Sequence, residues 1–152
     1  MTIISKKARY ALHGMAYLGR HGNGRAVPFE EILNYLREYA SGLTLSPGYI
    51  AKIFQAVSRA GIVEAVSGPS GGYRLARPAS EIRLIEIIET LEGPMLTDCC
   101  LLSVAGCRNQ PKCGVASLIR ESELVFYRFF ERHTVATLAH KMDLPDHARA
   151  LN

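Results

Sequence analysis

A change of hydrophobic period at Gly61 constrains the fold of this chain more strongly than any other feature of its sequence. The segment that ends there, "SPGYIAKIFQAVSRAG", has apolar residues at the spacing of one helical face: Ile50, Ile53, Phe54 and Val57. The segment that follows contains two short β-type runs, "IVEAV" and "YRLA", on either side of the Gly- and Pro-rich turn "SGPSGG". A helix that leads directly into a hairpin predicts a mostly helical fold with a small β wing.

Two more helices are predicted before this unit. The segment "SKKARYALHGMAYLGRHG" has the pattern of an amphipathic helix, with Ser5 as its cap and Gly22 where it stops. A second helix is predicted for "FEEILNYLREYA", which follows Pro28, and Ser46 is expected to cap the third. Two helices joined by a short turn and followed by a wing form a winged helix-turn-helix, which we assign to residues 1–80.

The third predicted helix has polar side chains outside its apolar stripe. They are Tyr49, Lys52, Gln55 and Arg59. A helix that presents such donors outward can read the major groove of DNA. In the wing, glycines such as Gly68 permit close approach to a phosphate strand, and Arg74 and Arg77 supply positive charge. A helical core with solvated polar residues would show the same helix pattern, so the DNA-binding interpretation depends on helix, wing and charge together.

The charge of the chain is concentrated in its first half. Residues 1–78 contain ten Lys or Arg against four Asp or Glu, whereas residues 79–152 contain eight against ten. This distribution favours a polyanionic partner for the first half. No Lys-Ser/Thr pair follows the wing glycines and no helix is predicted to begin there, so a nucleotide-phosphate loop is not indicated.

The second half of the chain predicts two helices on either side of a cysteine-containing segment. A short connecting helix is expected within residues 81–97, and one long helix over residues 115–142, which contain neither Gly nor Pro. The apolar stripe of the long helix consists of Leu118, Val125, Phe129, Ala136 and Ala139. A domain this small cannot cover a helix of this length. We therefore expect the helix to pack against the same helix of a second copy in a homodimer. Packing inside the monomer is the alternative. Residues 143–152 are expected to form a flexible tail.

All four cysteines lie in residues 98–114, the segment "DCCLLSVAGCRNQPKCG". The chain contains no Cys-x-x-Cys pair, which argues against a zinc ribbon. Cys100 and Cys107 are separated by six residues, and Cys107 and Cys113 by five. This wide spacing suits a polynuclear iron–sulfur cluster, while a thiol–disulfide switch stays open on spacing alone.

The order of these segments resembles the Rrf-two family of bacterial winged-helix transcriptional regulators. The resemblance rests on "RYALHGMAYLG", on "LSPGYIAKIFQAVSRAG" with the wing "GPSGGYRLARP", and on the cysteine segment, and it covers residues 5–142. It implies a dimeric regulator, expected to be a repressor, that binds double-stranded operator DNA. The third helix of that family contacts the operator, which implies such roles here for Ser46, Tyr49 and Lys52.

The resemblance also implies an iron–sulfur cluster, 2Fe–2S or 4Fe–4S, held by Cys100, Cys107 and Cys113. Cys99 is then a spare thiol or an alternative first ligand. Some relatives place a His shortly after the third cysteine, which this chain lacks, and others recruit a ligand from the first helix of the partner subunit. That implies His13 of the partner subunit as a candidate fourth ligand, against the structural role that a histidine in a helix more often has.

Two departures from the family pattern limit which properties of the family can be assigned to this chain. The segment between the second and third helices is longer than is usual, and Ser67 stands before the Gly-Pro of the wing where many relatives have an arginine that reaches the minor groove. Ser67 therefore replaces a charged contact in the predicted wing–DNA interface, and the operator sequence of a relative does not carry over.

The leading hypothesis is a regulator, not an enzyme, whose DNA affinity depends on iron, nitric oxide or redox state through an iron–sulfur cluster. The alternatives are a cluster-free thiol sensor and an iron–sulfur redox protein, and the winged first half has no role in the latter. A cytoplasmic location is expected, because the N-terminal segment has no apolar block with a cleavage site and no apolar run reaches bilayer length.

Overall fold

The structure, a computed structural model, describes residues 4–40, 45–95 and 114–142. The first unit contains three helices and a hairpin: α1 (Lys6–His21), α2 (Phe29–Tyr39), α3 (Pro47–Arg59), β1 (Val63–Val66) and β2 (Gly72–Leu75). A 3₁₀ turn, Ala79–Glu81, leads to the remaining helices: α4 (Leu84–Glu92), α5 (Gly114–Arg132) and α6 (Val135–Lys141). This order confirms the predicted mostly helical fold with a two-stranded wing.

Helix α1 lies at the centre of the fold and contacts α2, α3, α4 and α6. It begins as predicted, because the Ser5 hydroxyl accepts a hydrogen bond from the Ala8 N–H at 3.3 Å, and it ends at Gly22. A side chain at Gly14 would bring a Cβ to 2.7 Å from the Phe54 ring, so the absence of one lets α3 approach α1 closely. The core includes the fully buried side chains Met15, Tyr17, Leu18, Ile32, Leu33, Leu36, Ile50, Phe54, Ile62, Ile82, Ile87 and Ile88.

The wing is an antiparallel pair in which Val63 lies opposite Leu75 and Val66 opposite Gly72. A third segment joins it at Val27, whose N–H and C=O exchange hydrogen bonds with Tyr73 at 2.8 and 2.9 Å. Gly72 has a φ of 151°, and a Cβ there would collide with the backbone carbonyl of Val27. The glycine therefore permits the contact that fixes the wing to the segment before α2.

The single long helix predicted over residues 115–142 is wrong, because α5 ends at Arg132 and α6 begins at Val135. Thr134 starts the new helix by accepting a hydrogen bond from the Thr137 N–H at 3.4 Å. The backbone at the break bonds to the segment before α4, through Leu84 N–H to His133 and through Val135 N–H to Ile82. These backbone bonds and the burial of Val135 turn the chain back onto the winged unit.

The observed N-cap of α3 differs in its hydrogen bonding from the predicted one. Ser46 occupies the N-cap position, followed by Pro47, but its side chain makes no capping hydrogen bond. The N–H groups of Tyr49 and Ile50 bond instead to the Ser46 carbonyl, at 3.1 and 3.3 Å. Ser46 is exposed, so its hydroxyl faces solvent at the start of α3.

Candidate nucleic-acid interface and sensor segment

The outer face of α3 carries a row of exposed polar side chains. Its members are Tyr49, Lys52, Gln55 and Arg59, all predicted from their positions off the apolar stripe. Tyr49 keeps 41 % of its surface exposed while its ring meets the edge of the buried Tyr10 ring, with centroids 6.4 Å apart. Arg59 donates from Nε to the Gln55 carbonyl at 3.3 Å, which holds its stem along the helix. We call these four residues the α3 row.

The inner face of α3 is buried in the core, which fixes the position of the helix. Ile50, Phe54 and Val57 are completely buried, and the Phe54 ring lies 4.9 Å from the Tyr73 ring of β2. Tyr73 also carries the backbone contact to Val27, so the wing and α3 are packed on one another through aromatic rings. The α3 row is therefore presented by a rigid element whose position relative to the wing is set.

A concave surface separates α3 from the wing. This cavity of about 270 Å³ is lined by Gln55, Ser58, Arg59, Ala65 and Tyr73. Beyond it, the tip residues Ser67 and Gly68 are exposed, with Gly68 at a φ of 108°. The Gly71 N–H closes the tip by donating to the Gly68 carbonyl at 2.9 Å. Gln55 and Arg59 of the α3 row thus share one groove with Ala65 and Tyr73 of the wing strands.

The arginines at the wing base are paired with carboxylates. Arg74 donates from Nε to Glu64 at 2.8 Å, and this hydrogen bond holds the pKa of Glu64 below its usual value. Arg77 bonds to Glu86 at 2.6 Å. The sequence predicts both arginines as charge available to DNA, whereas each is paired in the structure. The hairpin register, which sets Glu64 opposite Arg74, is the signal that could have found the first pair.

Cys99, Cys100, Cys107 and Cys113 lie outside the described residues. Within the described ranges, no group of three or more His, Cys, Asp or Glu side chains is arranged to hold a metal ion. The thiolates of the cysteine segment and a neutral imidazole are donor types that iron–sulfur centres accept.

His13, the candidate fourth ligand, lies between α1 and α2. Its Nδ1 is 2.9 Å from the Tyr35 hydroxyl, and its ring stacks on Tyr39 with centroids 3.4 Å apart. Burial lowers the pKa of His13 to about 4, so the imidazole is neutral at pH 7. Tyr35 and Tyr39 were not foreseen as its neighbours, although they lie four residues apart on α2 and so share a face.

Arg9 stands one helical turn before His13 on α1. Its Nε is buried and makes no hydrogen bond within the residues that the structure describes. Arg9 and His13 lie on the same side of α1, because residues four apart in a helix share a face. The cation Arg9 therefore lies next to His13, the candidate ligand, on this side of α1.

The start of α1 is tied to the end of α4, the helix that leads to the cysteine segment. Lys7 Nζ donates to the Leu91 carbonyl at 2.5 Å, and the Ser5 N–H donates to Glu92 at 2.8 Å. Helix α4 also contacts α3. A physical connection therefore runs from α4, which precedes the cysteine segment in the chain, to both α1 and α3.

The fold and the groove between α3 and the wing define a winged helix-turn-helix protein. A family model for Rrf2, described as an iron-dependent transcriptional regulator, matches residues 4–141. The chain therefore belongs to the Rrf2 family of transcriptional regulators, the family that its segment order resembles. None of the helices in the described ranges combines the length and apolar character that a bilayer crossing requires.

Two characterised relatives support this assignment. The chain is 29 % identical to Protein aau3 of Rhizobium meliloti over 136 residues, which are 89 % of this chain and 83 % of that protein. It is 40 % identical to the HTH-type transcriptional regulator IscR of Cereibacter sphaeroides over 92 residues. The second match spans 59 % of this chain and 54 % of the relative, or about half of its length.

Solved structures share the fold over nearly the whole chain. CymR (YrzC), the global cysteine regulator of B. subtilis, superposes with a TM-score of 0.73 at 24 % identity, covering 94 % of this chain and all of that one. The oxidised form of Staphylococcus aureus CymR gives a TM-score of 0.70 at 26 % identity, covering 94 % and 99 %. The two CymR structures thus share the architecture of this chain.

Proposed function

We propose that this protein is a homodimeric regulator that binds operator DNA through the α3 row and the wing, with repression as the expected result. The observation that supports it most is the α3 row itself, four exposed polar side chains on a helix whose other face is completely buried. A rigid helix that carries donors on one exposed face is suited to base edges in a major groove.

Within this proposal the contacts divide by chemistry. Lys52, Gln55 and Arg59 are the donors placed to reach base edges, with Tyr49 and Ser46 at the start of α3. Ser67 and Gly68 at the wing tip approach the phosphate backbone, where a short side chain and a glycine allow close contact. Arg74 contributes less charge to DNA than expected from the sequence, because Glu64 compensates it.

We propose a second copy of the chain as the partner of α5. The large apolar side chains exposed on this helix fall on one stripe, which we call the α5 stripe: Val115, Leu118, Val125 and Phe129. Leu118 and Val125 keep 64 % and 65 % of their surface exposed. A two-fold pairing of this stripe removes apolar surface from water and presents two α3 rows to the two halves of a pseudo-palindromic site.

For the sensing step we propose an iron–sulfur cluster held by Cys100, Cys107 and Cys113, with Cys99 as the alternative first ligand. Its fourth ligand is proposed to be His13 of the partner subunit, whose neutral ring is fixed by Tyr35 and Tyr39. When bound, the cluster supplies a group sensitive to iron and redox state. The residues of this chain supply the link, because α4 joins the cysteine segment to α1 and α3.

The test of DNA binding compares matched variants on fragments selected from the source genome by electrophoretic shift. Lys52→Ala is expected to weaken specific binding by about 1–3 kcal/mol if the side chain touches a base. Tyr49→Phe keeps the ring contact with Tyr10 and removes only the hydroxyl donor. Arg37→Ala is the control, because it removes an exposed cation from α2 rather than α3. Equal losses for Lys52→Ala and Arg37→Ala would remove α3 from the recognition role.

A cluster-free thiol sensor is the second candidate, favoured by the structural match to an oxidised form of CymR. In that case Cys99 or Cys100 forms a disulfide with Cys107 or Cys113. Spectra and thiol counts of protein purified without oxygen distinguish the cluster from the thiol switch. A brown chromophore with stoichiometric iron and sulfide that is lost in Cys107→Ala supports the cluster, whereas colourless protein whose thiol count falls on oxidation supports the switch.

A further inference from the structure

A second cavity lies away from the groove between α3 and the wing, at the junction of α1 with the base of β2. Its volume is about 310 Å³. One wall is formed by the end of α1 and the turn after it, including Leu18, Gly22 and Asn23, and the other by Leu75 and Ala79. The three charged residues of the lining are all arginines: Arg25, Arg74 and Arg77.

Each of these arginines is held in place by a carboxylate that does not line the cavity. Arg74 pairs with Glu64 at 2.8 Å, Arg77 with Glu86 at 2.6 Å, and Arg25 with Glu31 at 3.5 Å. The carboxylates come from β1, α4 and α2, so three different elements fix the arginines around one space. All charged side chains of the lining are therefore positive, and each is held in position by an ion pair.

Arg74 keeps donors for a ligand. Glu64 takes the Nε hydrogen, and within the described residues the two terminal nitrogens of Arg74 make no hydrogen bond. The Arg74 side chain keeps 43 % of its surface exposed. A guanidinium with two adjacent terminal nitrogens can hold a second carboxylate in bidentate fashion.

We propose that this cavity binds a small organic carboxylate. The terminal nitrogens of Arg74 supply the contact to an anion, and the apolar walls formed by Leu18, Leu75 and Ala79 favour an anion with a carbon skeleton over an inorganic ion. A volume of about 310 Å³ is at the lower end for ligand sites, so the ligand has the size of an amino acid or a short dicarboxylic acid. Bound there, it bridges α1 and the base of the wing.

Direct binding tests this without DNA, so the outcome is independent of the proposed function. Succinate, glutamate and inorganic phosphate are titrated calorimetrically into wild-type protein, Arg74→Gln and Glu64→Gln. At least one of the two carboxylates is expected to bind saturably, and Arg74→Gln to weaken it about tenfold or more through loss of a charge-assisted contact. Glu64→Gln breaks the same ion pair but frees Arg74, so binding is expected to be kept or strengthened.

The pair of variants separates a ligand contact from a structural role. Equal weakening in Arg74→Gln and Glu64→Gln would mean that only the ion pair matters, and it would overturn the proposal. The proposal would also be overturned if neither carboxylate bound saturably, or if only phosphate bound. If no anion binds while Arg74→Gln weakens DNA binding, Arg74 belongs to the DNA backbone contact and the cavity is not a ligand site.

Discussion

Lys7 Nζ lies 2.5 Å from the backbone carbonyl oxygen of Leu91, and this contact joins the first turn of α1 to the last turn of α4. The two residues are 84 positions apart in the chain. Leu91 lies in α4, seven residues before the cysteine segment begins at Asp98, whereas α1 lies at the centre of the winged unit. Under the proposed sensing mechanism, this hydrogen bond couples the helix that precedes the cysteines to the winged unit.

Replacing Lys7 with Met is expected to weaken the response of DNA binding to the state of the cysteine segment. Met keeps an apolar chain of similar length but removes the donor to Leu91. The ratio of operator affinities between the cluster-loaded and cluster-free forms should therefore fall toward one. Lys6→Met is the control, because Lys6 is exposed on the same helical turn. Equal ratios in the two variants would show that the Lys7–Leu91 bond carries no coupling.

Replacing Gly14 with Ala is expected to destabilise the fold. The new Cβ would lie 2.7 Å from the Phe54 ring, so α3 must move or the ring must leave its position. Overpacking of this kind costs about 1–3 kcal/mol, which exceeds the gain of about 1 kcal/mol from replacing a helical glycine with alanine. Denaturant unfolding measures the difference.

The matched control for this variant is Gly48→Ala in α3. A Cβ at Gly48 would have only the Ser46 hydroxyl oxygen nearby, at 3.8 Å, so the helix gains stability without a clash. The two alanines are thus expected to change the free energy of unfolding in opposite directions. Stabilisation by both would contradict the close packing of α3 on α1.

Replacing Phe129 with Asp is expected to convert the dimer to monomer. Phe129 belongs to the α5 stripe, and a second copy would bury a pair of carboxylates without partners, which is costly. Arg128→Asp is the control, because it adds the same carboxylate one residue away and about 100° around the helix. Sedimentation at equal concentration should show monomer only for Phe129→Asp, and an intact dimer in both would mean that the stripe has another partner.

The ion pair between Arg77 and Glu86 gives a prediction for pH. Burial raises the pKa of Glu86, but hydrogen bonds from Arg77 and from the Arg83 backbone outweigh it and leave the pKa below its usual value of 4.5. A carboxylate with a lowered pKa in the folded state stabilises the protein above its unfolded pKa and loses this contribution as the pH falls through its folded pKa.

Glu86→Gln is therefore expected to lower the free energy of unfolding by about 1 kcal/mol at pH 7, and by less at an acidic pH well below 4.5, the ordinary pKa of the carboxyl group. Glu81→Gln is the control, because Glu81 is exposed and offers Arg77 only its backbone carbonyl. Denaturant unfolding at both pH values tests the difference. A deficit that stays constant on acidification would assign the effect of Glu86 to packing rather than charge.

The sequence was sufficient to predict α1, α2, α3 and the wing, because local signals agree there. Ser5 and Gly22 mark the two ends of α1, and the apolar stripe of α3 separates its buried face from the α3 row. The same agreement predicts that the side chains of Tyr49 and Lys52 are exposed, and they are.

What the sequence did not yield depends on contacts between distant segments. The break between α5 and α6 contains neither Gly nor Pro, and it is set by the backbone pairing of Arg83 with Thr134. Helix packing likewise determines the pairing of Arg77 with Glu86. It also determines the contacts of His13 with Tyr35 and Tyr39. Periodicity assigns a residue to a face but does not identify the residues opposite it.

We propose that the cysteine segment controls DNA binding through the winged unit, and a titration of two forms of the protein can decide this. Protein purified without oxygen, with its iron and sulfide counted, is titrated onto a selected operator fragment before and after the cluster is removed by a chelator. We predict a change in operator affinity of about five- to 150-fold, corresponding to a coupling free energy of about 1–3 kcal/mol. Equal affinity of the two forms, with iron and sulfide present in one and absent in the other, would contradict the account.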